Sequence, residues 1–133
     1  MPPYDDRLFA PPAPVLSAHL RNPQSGTTIP DVLFLIDTGA DVTLLPLGAV
    51  NAAGIEQTGA SYELLAFDGR SSAVGVVRAD LLMLGRAFRG QFLVIDQQVG
   101  ILGRNILNAL ALLLDGPHQT WSEYRGDRAT TSR

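Results

Sequence analysis

The hydrophobic positions of this chain fall into short runs separated by glycine, proline and small polar residues, a spacing that predicts strands rather than long helices. Val32-Leu33-Phe34-Leu35-Ile36 is continuously apolar and predicts a strand over 29–36 buried on both faces. Before it, 15–21 reads as a strand with alternation weak enough for a sheet edge, and Asn22-Pro23-Gln24-Ser25-Gly26 as a turn. Val42-Thr43-Leu44-Leu45 is again β-prone. Pro46 then opens and Gly54 closes a short helix over 47–53. Segments 61–67 and 71–77 flank Asp68-Gly69-Arg70, and Asp-Gly between β-prone runs predicts a hairpin. The second of these strands continues to Leu84, breaks at Gly85-Arg86 and resumes over 88–95. A strand over 99–102, a helix over 103–110, a strand over 111–115, a turn at Gly116-Pro117-His118 and a last strand over 119–124 complete the reading. The expectation is a single mostly-β domain with one or two short helices.

The two ends break the pattern. Residues 1–14 hold five of the nine prolines, which excludes a helix or a central strand and predicts an extended arm. Residues 125–133 are polar and are expected to form a disordered tail, leaving 15–124 as the folded domain. At 133 residues with 46% apolar and 17% charged content, the chain has enough material for one real core. A net charge of −3 carries no basic footprint, so no nucleic-acid partner is expected. All ten basic residues are Arg, which leaves no Lys for Schiff-base chemistry. The absence of cysteine removes thiol catalysis, disulfides and thiolate metal sites. His19 and His118 stand far apart without ligand spacing, so no metal and no cofactor are expected. The first residues lack the basic start and apolar centre of a signal peptide, and no apolar stretch reaches the roughly 18 residues of a membrane span. The expectation is a soluble, cytoplasmic protein without a membrane partner.

Chemistry concentrates where the buried run ends, at Asp37-Thr38-Gly39-Ala40-Asp41. Asp and Gly favour turns, and an ordinary surface turn is the plain reading. A polar triplet between two apolar strands fits that reading poorly. It is better suited to hold an aspartate in a tight turn for acid–base work, with Gly39 letting a backbone N–H approach the carboxylate. The motif occurs once, so a mechanism needing two carboxylates would need two chains.

Gly100-Ile101-Leu102-Gly103-Arg104-Asn105-Ile106-Leu107 is the second informative stretch. Together with Asp37-Thr38-Gly39-Ala40-Asp41 before it, and the Asp68-Gly69 hairpin between, the chain resembles the retropepsins, the retroviral-type aspartic proteases, over about residues 15–115. It is more similar to their bacterial and cellular branch than to a polyprotein fragment. The resemblance implies the acid-protease fold and a homodimeric aspartic endopeptidase that hydrolyses peptide bonds between apolar residues. In that scheme Asp37 of each copy forms the catalytic dyad. Like charges about 3 Å apart do not both ionise, so one carboxylate takes a proton from water while the other donates to the scissile carbonyl at mildly acidic pH.

The resemblance also assigns supporting roles. Thr38 would bond to the loop of the second copy, although a local turn bond is its ordinary role. Ala40 would keep the groove wide. Asp41 would form a structural ion pair with Arg104 and present to the substrate backbone. Phe67, Asp68 and Gly69 would be the tip of a flap over the substrate, although the same segment reads equally as an exposed hairpin. Leu35, Leu44, Val99 and Ile101 would be pocket walls, and any of them is equally readable as core. The alternative function is a non-catalytic homodimeric module that binds extended peptides. A monomeric structural β-domain is a third reading.

Overall fold

A computed structural model of the chain describes residues 1–65, 69 and 71–126, with the backbone alone at 62–65 and 71–73. Among the described residues, ten strands and two short helices follow in chain order: β1 (Tyr4–Asp5), β2 (Ala13–Arg21), β3 (Thr28–Ile36), β4 (Leu44–Pro46), α1 (Leu47–Ala52), β5 (Gln57–Leu65), β6 (Ser71–Met83), β7 (Arg86–Ile95), β8 (Gly100–Leu102), α2 (Arg104–Leu107), β9 (Leu112–Asp115) and β10 (Thr120–Glu123). Eight strands form one sheet in the order β1-β2-β3-β8-β4-β7-β6-β5, and an additional β2–β6 pairing curls it into a barrel. Strands β9 and β10 form a separate antiparallel pair.

Apolar periodicity decides which faces go inside. Leu16, Ala18 and Leu20 of β2 are buried, while Ser17 and His19 between them are exposed. The core gathers these with Phe34, Leu45, Val50, Val77, Leu81, Leu102 and Trp121. The Trp121 indole N–H, which must find an acceptor when buried, donates to the Val15 carbonyl at 2.6 Å. Buried Asp80 is met by Arg21 at 3.0 Å and by Arg89 at 4.0 Å, which ties β2, β6 and β7 together at one end.

Three expectations are corrected. Strand β2 is not an edge: Tyr4 and Asp5 pair with its start, β6 pairs with His19, Leu20 and Arg21, and β3 lies along its other side. These partners are distant in sequence, so a local pattern does not reveal them. The β6–β7 turn is Leu84-Gly85, not Gly85-Arg86, because Met83 pairs with Arg86. Both turn residues take positive φ, 50° and 71°, as a two-residue hairpin demands, although Leu is an unusual choice there. Helix α2 stops at Leu107 rather than running to 110. Beyond it, Ala109 and Leu110 bond back only three residues, and the chain turns out into β9.

The arm is stapled to the β9–β10 end of the chain. Tyr4 N–H donates to Gln119 O at 2.7 Å, and Trp121 N–H donates to Pro2 O at 3.0 Å. The predicted tail lies outside the described residues apart from Arg125 and Gly126. No helix among the described residues is long and apolar enough to cross a membrane.

The turn between β9 and β10 holds a clear electrostatic perturbation. Asp115 accepts from His118 through the ring nitrogen at 2.8 Å and the backbone N–H at 3.2 Å, and these bonds hold its carboxyl below the usual range. A depressed folded-state value contributes stability above the unfolded value and loses it as pH falls through the folded one. His118→Ala should therefore raise the Asp115 titration midpoint, read by carboxyl NMR shifts. The pair is exposed, so the thermal midpoint at neutral pH should scarcely move.

Candidate functional site

Strand β3 delivers Asp37. It runs parallel to β8, with Phe34 opposite Gly100, Leu35 opposite Ile101 and Ile36 opposite Leu102. Strand β8 also pairs with β4, so it lies between the two strands that the Asp37 loop connects. The loop therefore leaves the sheet over the end of β8, and Asp37 N–H donates to Leu102 O at 3.1 Å. The loop folds tightly on itself. Gly39 N–H donates to Asp37 Oδ1 at 2.9 Å, and Ala40 N–H donates to Asp37 O at 3.2 Å. A backbone donor on a carboxylate oxygen fixes the side chain's orientation and leaves Oδ2 for chemistry. A side chain at Gly39 would begin 3.2 Å from Asp37 Oδ1, which explains the small residue.

The start of α2 braces this loop. Arg104 N–H donates to Ala40 O at 2.8 Å, and its guanidinium donates to Thr38 O, also at 2.8 Å. The expected Asp41–Arg104 ion pair is therefore not formed within one chain. Arg104 does tie α2 to the loop, but through the Thr38 main-chain carbonyl. Asp41 has no hydrogen-bond or ion-pair partner among the described residues. Thr38 is likewise exposed, and its carbonyl is the atom used within the chain.

Thr43 is a key residue that local sequence does not single out. It is 1% exposed, its hydroxyl donates to Asn105 Oδ1 at 2.7 Å, and it accepts Gly103 N–H at 3.0 Å. One hydroxyl thus joins the far end of the Asp37 loop to the N-terminus of α2. The one available signal is a lone hydroxyl in an otherwise apolar run. Thr43→Val keeps the shape but leaves a buried N–H without an acceptor, and should cost about 2 kcal/mol in chemical denaturation.

Two glycines make the crossing possible. A Cβ at Gly100 would lie 2.6 Å from the Phe34 ring and 2.7 Å from Leu44 O. A Cβ at Gly103 would overlap the Val42 carbonyl. The Gly-x-x-Gly of the sequence is thus a close backbone crossing rather than a ligand cradle.

Beside the loop lies an apolar groove of about 430 Å³, lined by Leu8, Phe9, Leu35, Ile95, Gln97, Gln98, Val99, Gly100 and Ile101. Leu35 stands two residues before Asp37, so the two lie toward the same face where the strand ends. Of the expected walls, Leu35, Val99 and Ile101 share this groove. Leu44 does not line it. It is 5% exposed, in a small cluster with Val76 and Leu93, and Ile101 packs on that cluster. Leu44 supports the wall from behind. Leu8, Phe9 and Ile95 are walls that the sequence pattern does not mark. Strands β5 and β6 pair from Gln57 to Leu65 against Val77 to Ser71 and form the predicted hairpin. Phe67 and Asp68 lie outside the described residues, while Gly69 is exposed with a φ of 84°. No group of His, Cys, Asp and Glu side chains among the described residues could hold a metal ion.

No family model matches the sequence, and neither does any curated protein sequence. Solved structures do match. EIAV protease complexed with the inhibitor HBY-793 aligns with a TM-score of 0.56 and 22% identity, over 79% of this chain and 91% of that one. The solution structure of Simian Foamy Virus (mac) protease aligns with a TM-score of 0.50 and 17% identity, over 71% and 92%. At these identities the likeness defines the fold: this chain has the retropepsin fold. The resemblance read from Asp37-Thr38-Gly39 and Gly103-Arg104-Asn105 thus agrees with the three-dimensional architecture.

Proposed function

We propose that two copies of this chain assemble into an aspartic endopeptidase that cuts peptide bonds between apolar residues. The observation that carries this reading is the setting of Asp37. Its carboxylate is oriented by Gly39 N–H on a loop braced by Arg104, beside an apolar groove, and each chain holds one such group. One carboxylate activates water or protonates a carbonyl; two sharing a proton do both. A twofold axis through the Asp37 loops supplies the second, since an isologous dimer presents the same loop twice. Thr38, exposed at the loop, bonds through its hydroxyl to the loop of the second copy. Asp41, without a partner among the described residues, faces the substrate backbone or the second copy.

In this reading an extended substrate lies over Ala40 and Asp41. Its apolar side chains enter the groove of Leu35, Val99 and Ile101, which Leu44 backs. The β5–β6 hairpin closes over the substrate and excludes water. The fold shared with two proteases of viruses supports the reading at the level of architecture. The test is direct. Purified chain should sediment as a dimer and cut a peptide library between pH 3 and 7, with cuts at apolar residues. Dimeric protein that cuts nothing in that range would sink the proposal.

A further inference from the structure

The proline-rich arm does something that its composition does not announce. Between β1 and β2 the chain makes a loop over residues 6–12. Asp5 Oδ1 caps the start of this loop by accepting Arg7 N–H and Leu8 N–H, both at 2.8 Å. The loop's base is closed by pairing of Tyr4 with Pro14 and of Asp5 with Ala13. Pro11 and Pro12 stiffen the return, since each has a fixed φ. Behind it, β1 is bonded to the β10 side through Gln119. A loop anchored at both ends and internally capped is a shaped part of the molecule.

Leu8 and Phe9 are what this loop presents. Both line the groove beside Asp37, together with Leu35, Val99 and Ile101. Leu8 also lines an adjoining groove with Ile29, Pro46 and Val99, so it stands on the ridge between the two. Leu8 is 50% exposed, so an apolar residue on the groove's lining is left open to solvent. The arm does not fill the groove, whose volume of about 430 Å³ remains open with both residues in place. It is a wall and not a plug.

We infer that Leu8 and Phe9 are specificity-determining residues: the arm completes the pocket that receives an apolar substrate side chain, and Phe9 sets its size. This rests on the endopeptidase reading. It makes the arm a working part of the substrate site. Shortening Phe9 deepens the pocket and favours larger side chains; enlarging it does the reverse. Pocket discrimination by a few methylenes is worth about ten- to a hundredfold in kcat/KM.

The experiment uses the full chain and two peptides that differ only in having Phe or Ala at the cleaved position. Phe9→Ala should raise the Phe-to-Ala ratio of kcat/KM by about tenfold, and Phe9→Trp should lower it. Thermal midpoints check that both variants fold, and a ratio between substrates is insensitive to the fraction of active protein. The same peptides are then titrated into Asp37→Asn protein while the Phe9 ring signals are followed by NMR. Ring signals that move on binding, with a ratio that shifts in opposite directions in the two variants, support the wall. Cleavage with an unchanged ratio and unmoved ring signals overturns the wall and leaves the endopeptidase standing. Peptides that move the ring signals but are never cut overturn the endopeptidase and keep the wall as part of a peptide-binding groove.

Discussion

Replacing Asp37 by Asn should abolish the proposed peptide cleavage, lowering the rate by about 10³-fold or more while leaving the fold and the proposed dimer intact. Asn is the same size, and its side-chain oxygen still accepts the Gly39 N–H that holds Asp37 Oδ1 at 2.9 Å. What is lost is the proton. An amide neither takes one from water nor gives one to a carbonyl, and positioned acid–base groups contribute about 10²- to 10⁴-fold each. A loss of 10³ corresponds to about 4 kcal/mol of barrier. The stronger form of the test is a mixing series. If each site needs one Asp37 from each of two chains, wild-type and Asp37→Asn chains allowed to exchange will show activity falling as the square of the wild-type fraction. A linear fall would place a complete site within one chain and refute the shared dyad.

The mixing series matters because a single Asp-Thr-Gly is half of what two-carboxylate chemistry requires, and that singleness is legible in the sequence. So are the elements around it. The apolar run ending at Ile36 predicts a buried strand, and β3 ends at that residue. Asp68-Gly69 predicts a hairpin, and β5 and β6 pair around it. Such features are encoded by neighbours in the chain. What escapes the sequence depends on residues far apart. Strand β2 resembles an edge because its partners on that side are Tyr4–Asp5 and the end of β6. Arg104 matches Asp41 by charge, but its guanidinium reaches the Thr38 carbonyl instead. A charge match names a pair without fixing where each atom lies. Thr43 looks like one more β-prone residue, although a distance of 62 positions separates it from Asn105. Leu8 and Phe9 belong to a segment whose prolines suggest only an extended arm, and their contact with the groove follows from how β1 is anchored.

The second large effect concerns the glycine under the loop. Gly103→Ala should destabilise the fold by about 3 kcal/mol or more, near the upper end for overpacking. Its added Cβ would overlap the Val42 carbonyl oxygen and lie 2.5 Å from the carbonyl carbon and 2.9 Å from the amide nitrogen. These are backbone atoms, so no rotamer change relieves the contact. Gly103 has an extended backbone, with φ of −95°, so the cost is steric and not conformational. The chain must move away, and what moves is α2 or the loop. Either displacement strains three bonds at once: Gly103 N–H to Thr43, Arg104 N–H to Ala40 O and Arg104 to Thr38 O. For a domain of this size the thermal midpoint should fall by roughly 10 °C. Activity should fall further than stability accounts for, because the bonds that strain are those that brace the Asp37 loop. Gly59→Ala is the control. A Cβ added at Gly59 would meet nothing within 4 Å, but the residue has a φ of 86°, so its cost is conformational, about 1 kcal/mol, and does not reach the loop. A Gly103→Ala protein with an unchanged midpoint would show that the crossing of β8 beneath the loop is looser than this packing requires. One with a lowered midpoint but full activity below it would separate the brace from the chemistry.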